Sequence, residues 1–136
     1  LAYLRHQAGT KSHYDIQLQV GIRAGQDQPT TICQTNSKFL YWSMAQQLAH
    51  HTITGCNLNV GDLMASGTIS GKDSSSWGSM LELAWGGKNP LSLPQGQKRS
   101  FLQDGDEVSM TGWCQGQGYR VGFGDLVSKV LPCESR

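Results

Sequence analysis

Glu82 and Thr68 are the side chains best placed to do chemistry, and they lie on either side of one glycine-rich loop. The stretch Gly61–Leu83 reads GDLMASGTISGKDSSSWGSMLEL. Two short apolar runs, Leu63–Ala65 and Met80–Leu83, flank residues that are mostly Gly, Ser and Thr. Glu82 falls inside the second run. A carboxylate there must be paired, protonated or put to use, because an unpaired buried charge is too costly. Thr68 offers a hydroxyl within SGTISG, and Gly67, Gly71 and Gly78 allow positive φ or close approach of the backbone to a ligand. The plainer alternative is a surface hairpin with Glu82 on its wet face.

Other reactive side chains carry weaker signals. Cys33, Cys56, Cys114 and Cys133 form no C-x-x-C pair, which argues against a zinc ribbon or redox motif. The simplest reading is reduced thiols in a cytosolic protein, with two disulfides in a secreted domain as the alternative. Nothing local recommends Cys33 or Cys114 as a nucleophile, so both read as inert buried thiols. His50 and His51 are adjacent; on a helix they point about 100° apart, which suits a helix end better than one metal. Asp62, Asp73, Asp104, Asp106, Glu107 and Asp125 mostly sit in turns beside glycine, where turn-forming or solvated roles are the default. Asp104 and Asp106 fall on one side of an extended turn, but two carboxylates without a third ligand make a poor cation site. Lys98, Arg99 and Arg120 are too scattered for a nucleic-acid patch, and Arg120 is expected to pair with a carboxylate. A net charge of +1 makes no electrostatic case for nucleic acid or a membrane surface.

The elements that must position these groups read as mostly β. The 136 residues suffice for one domain, and 17 glycines point to a turn-rich β protein. The first residue is Leu1, without an initiator Met, so the sequence reads as a piece of a longer chain. Tyr14–Ile22 alternates cleanly, with Tyr14, Ile16, Leu18, Val20 and Ile22 on one face, and predicts a half-buried strand. Ala24–Pro29 is a polar turn and Thr30–Cys33 a short returning strand. Asn36–His51 predicts the one convincing helix, N-capped by Asn36, with Phe39, Trp42, Ala45, Leu48 and Ala49 on its apolar stripe and Gly55 beyond its end. Leu63–Ala65 and Met80–Leu83 read as buried strands. Further strands are expected from Val108, through the glycine-rich Trp113–Gly124 with bulges, and at Val127–Leu131.

At this point the blocks become recognisable. GDLMASGTISG, GSMLEL, FLQDGDEVSMTGWCQGQGYRVGFG and KVLP occur in order, with YDIQLQV, QQLAHH and GCNL before them. Together they resemble the C-terminal part of the fumarylacetoacetate hydrolase family, from about Tyr3 to Pro132. The resemblance implies a mixed β-sandwich or β-roll, mostly β with one main helix, with residues 1–136 forming the C-terminal part of a single catalytic domain. It implies cleavage of the carbon–carbon bond of fumarylacetoacetate to fumarate and acetoacetate, the last step of tyrosine breakdown, usually by a cytoplasmic homodimer holding Ca²⁺ and Mg²⁺. It places Glu82 on the family's glutamate that orients and charges a catalytic histidine, and Thr68 on its substrate-contacting threonine. The histidine, the metal ligands and an oxyanion-binding lysine are implied to lie upstream, and His6, His13, His50 and His51 match no such block. The segments Lys72–Trp77 and Gly86–Gln97 depart from the family pattern. Alternatives are an acylpyruvase or decarboxylase of the same superfamily, and a non-catalytic β-sandwich binding module in which Glu82 would be solvent-exposed.

Overall fold

In the computed structural model, residues 1–6, 12–26 and 28–134 are described. Part of the Ala24–Pro29 turn, part of the segment before residue 12, and the last two residues of the tail lie outside them. Among the described residues six strands and two α-helices follow in order: β1 (Ile16–Arg23), β2 (Thr30–Asn36), α1 (Met44–Thr52), α2 (Met80–Leu83), β3 (Leu91–Ser92), β4 (Lys98–Arg99), β5 (Glu107–Gln115) and β6 (Arg120–Lys129). Four of the strands make one antiparallel sheet in the order β2-β1-β5-β6, and β3 and β4 form a separate two-stranded ribbon. The architecture is mostly β with one main helix, as the patterning predicts. Among the described residues no helix is long and apolar enough to cross a membrane.

The alternation in β1 sets the faces of the sheet. Ile22 lies opposite Val108, and Val20 opposite Met110 on one side and Cys33 on the other. These residues share a face because successive side chains of a strand point to opposite sides. α2 lies against this face, so that Val20, Ile22, Ile32, Cys33 and Val108 meet Met80 and Leu83 around a cavity of about 110 Å³. Ile22, Ala24 and Leu93 are the buried centre of the core. The opposite face is polar: Gln19 Nε2 donates to Thr31, and Gln34 Nε2 donates to Gln19.

Two irregularities bend the sheet. The register between β1 and β2 slips at Val20/Gly21, leaving an extra residue in β2. A second slip opposite Gly112 puts an extra residue in β6, where Gly124 takes φ +80°. A bulge of this kind needs a residue that tolerates the left-handed region, and glycine does so without steric cost.

Three of the expected elements are not found as expected. The helix expected over Asn36–His51 is broken in two. Asn36 does cap, accepting from Lys38 N–H, but only the short 3₁₀ turn Ser37–Phe39. α1 begins later, where Ser43 and Gln46 form a reciprocal capping box (Gln46 N–H to Ser43 Oγ 3.2 Å, Ser43 N–H to Gln46 Oε1 2.9 Å). Leu63–Ala65 is not a buried strand: Leu63 is 98% exposed and the segment has no regular structure. Met80–Leu83 is also not a strand but the helix α2, started by Ser79.

The turn at 103–106 holds a further surprise. Asp106, expected to be solvated or turn-forming, is 1% exposed. Arg99 on β4 clamps it with two parallel bonds of 2.8 Å, and the Gln103 N–H donates to the same carboxylate. The Arg99 guanidinium is the main cause that holds this carboxyl below its ordinary range. The pair ties the ribbon to the entry of β5. Arg120, expected to find a carboxylate, instead lies over the Trp113 ring at 4.4 Å.

Candidate functional site

The loop carrying Thr68 and the start of α2 run side by side because two glycines allow it. Gly78 N–H donates to Ser70 Oγ at 3.0 Å, and Gly71 N–H donates to the Ser76 carbonyl at 3.0 Å. A Cβ on Gly78 would come within 2.5 Å of the Ile69 carbonyl oxygen and 3.0 Å of the Thr68 methyl. A Cβ on Gly71 would meet Ser76 Oγ at 2.4 Å and the Phe39 ring at 2.8 Å. Thr68 therefore sits directly beside the turn into α2. Its hydroxyl is exposed and makes no hydrogen bond among the described residues.

Glu82 stands in the first turn of α2, where the free N–H groups of a helix start favour a negative charge. Ser79 caps the turn by accepting from the Glu82 N–H at 3.3 Å. The Glu82 carboxylate is half-buried and turned toward the Thr68 loop. Ser70 Oγ donates to its Oε2 at 2.7 Å, and Ser79 Oγ donates to the same oxygen at 2.9 Å. Glu82 lines an open groove of about 450 Å³ with Trp77, Leu81, Trp85 and Gly86. The indoles of Trp77 and Trp85 meet edge-to-face, with centroids 6.3 Å apart. Trp85 takes φ +47°, the one positive φ outside glycine among the described residues. The backbone turns there as α2 ends, with Gly86 N–H bonding the Leu81 carbonyl at 2.8 Å. Behind the site, Cys33 is buried; burial first, and the Glu82 charge second, push its thiol above its ordinary range. It stays protonated, consistent with an inert core thiol.

The two predicted site residues are thus brought onto neighbouring backbone segments, bridged by Ser70. Sequence reasoning missed Ser70 and Ser79, although Ser79-Met80-Leu81-Glu82 carries the spacing of a capping box. None of the described histidines reaches Glu82. His6 Nε2 bonds Ser43 at 3.0 Å, His13 Nδ1 bonds Ser12 at 3.0 Å, His50 Nδ1 bonds the Tyr3 hydroxyl at 2.9 Å, and His51 Nε2 lies 3.3 Å from Cys56 Sγ. Among the described residues no three His, Cys, Asp or Glu side chains converge as ligands.

The chain is similar to known proteins over most of its length. The family described as Fumarylacetoacetate (FAA) hydrolase C-terminal matches residues 6–131. Human fumarylacetoacetase is 57% identical over 120 residues, which are 88% of this chain and 29% of that protein. The Arabidopsis thaliana fumarylacetoacetase is 50% identical over 121 residues, 88% of this chain and 28% of that protein. The Dictyostelium discoideum fumarylacetoacetase is 45% identical over 139 residues, 100% of this chain and 32% of that protein. The chain spans about three tenths of the length of these curated relatives. On the matched span of residues 6–131, the chain belongs to the fumarylacetoacetate hydrolase family.

Proposed function

We propose that these 136 residues are the C-terminal part of a catalytic domain that hydrolyses fumarylacetoacetate to fumarate and acetoacetate. Water adds to a carbonyl of the substrate and gives up a proton to a base; the carbon–carbon bond then breaks and its electron pair leaves as the enolate of acetoacetate, which takes up a proton. Glu82 supplies the negative charge that orients and charges an imidazole from elsewhere in the protein. Thr68, with its free hydroxyl, holds a carboxylate or carbonyl oxygen of the substrate. The reading extends to a cytoplasmic homodimer whose Ca²⁺ and Mg²⁺ are held by residues outside this stretch. The observation that carries it is the extent of identity to proteins named fumarylacetoacetase across three distant eukaryotes.

The test is direct. The full-length protein is incubated with fumarylacetoacetate and with simpler acylpyruvates, and products are followed by chromatography. Equimolar fumarate and acetoacetate, formed faster than products from the simpler substrates, support the reading; turnover of acylpyruvates alone overturns it. In the same protein Glu82→Gln is expected to lower kcat by roughly 10²-fold or more, whereas a binding module would be indifferent to it.

A further inference from the structure

We infer that Ser70 and Ser79 are positioning residues for the reaction, holding one oxygen of Glu82 so that the other is presented to its catalytic partner. The inference rests on the hydrolase reading of Glu82. Both hydroxyls donate to Oε2, at 2.7 and 2.9 Å. Oε1 has no hydrogen-bond partner among the described residues, while Glu82 lines an open groove together with Trp77 and Trp85. A carboxylate's terminal torsion is otherwise broad; two donors from different segments, one from the loop and one from the helix start, remove that freedom.

The protons are aimed by the backbone. A serine hydroxyl has one proton and two acceptor sites. Ser70 Oγ already accepts from the Gly78 N–H at 3.0 Å, and Ser79 Oγ from the Glu82 N–H at 3.3 Å. Each hydroxyl's own proton is thereby directed at Oε2. The Ser70 bond also fixes register: Ser70 belongs to the segment that carries Thr68, so the same contact sets the substrate-holding hydroxyl against the carboxylate. Misplacing a charged group by a fraction of an ångström weakens the reactive geometry without weakening substrate binding.

The experiment uses the full-length protein with fumarylacetoacetate as substrate. Ser70→Ala and Ser79→Ala are each expected to lower kcat about 10-fold, and the double variant about 10²-fold, with KM changed less than about 2-fold. Ser70→Thr and Ser79→Thr, which keep the hydroxyls, are expected to restore most of the rate. Ser79→Asp keeps an acceptor for the helix start but offers Glu82 no proton, and is expected to be as slow as Ser79→Ala. Melting temperatures are read beside the kinetics. A double alanine variant with wild-type kcat overturns the inference, as does an active Ser79→Asp, a change confined to KM, or a loss that threonine does not rescue. A wild-type protein with no activity on fumarylacetoacetate overturns the hydrolase reading and this inference with it.

Discussion

At the residue scale, the sequence shows which carboxylate carries an obligation but not how it is met. Glu82 stands out because its neighbours are apolar, yet its partners are Ser70 and Ser79, residues that composition alone files under loop. Asp106 shows the opposite failure. Asp104-Gly105-Asp106 is an ordinary turn signal, and only the fold reveals that Arg99 reaches back to it. Gly78 is the residue on which the site's geometry most depends. Gly78→Ala would drive a methyl against the Ile69 carbonyl, and the two segments would have to part. We expect a loss of about 1–3 kcal/mol of stability in chemical denaturation, with reduced kcat/KM in the full-length protein.

At the scale of elements, strict alternation was readable and short apolar runs were not. β1 was legible because five alternating residues leave one interpretation. Met80–Leu83 is ambiguous in the sequence because four apolar-rich residues fit a buried strand or a helical turn equally; the deciding signal is the serine three residues before Glu82. The early start assigned to α1 has a similar cause, since Asn36 does cap a turn, but the chain leaves the helical path before Ser43 restarts it. The clamp between β4 and the turn before β5 supplies an element-scale prediction. Asp106→Asn leaves the Arg99 charge without its partner and is expected to cost about 3–5 kcal/mol by denaturant titration. The pH dependence follows in sign. The folded carboxyl titrates below its ordinary value of 3.8, so the unfolded chain binds the proton first. The clamp's contribution is complete above that ordinary value and is lost as pH falls through it toward the depressed one. Acid unfolding should therefore show a component below about pH 4, and a melting series from pH 6 to pH 2 should show it weakened in the Asp106→Asn variant.

At the scale of the whole molecule, the sheet is only partly covered. α2 shields the Ile22 end of the apolar face, while Met110, Phe123 and Leu126 remain exposed (47%, 64% and 54%). β6 is a long edge strand with its outer backbone unpaired, a template for pairing with other chains. We predict that the 136-residue chain alone self-associates at micromolar concentration, as read by sedimentation velocity; a sharp monomer boundary would count against this. We also predict that the chain alone shows no measurable cleavage of fumarylacetoacetate or acylpyruvates, because among the described residues no histidine reaches Glu82 and no ligand cluster forms.

The order of the strands has a consequence for how the domain is assembled in time. β1 pairs with β2 and β5 with β6 across short connections, but the central pairing joins Gln17 to Trp113. Two hairpins can arise independently and early; their union must wait until the intervening chain has been made and its loop-closure entropy overcome. The segment bearing Thr68 and Glu82 lies wholly within that span. During synthesis it has only the β1–β2 hairpin to rest on until β5 and β6 dock and close the cavity beneath α2, which makes that docking the step at which a ribosome-bound nascent chain would gain most of its resistance to proteolysis around residue 70.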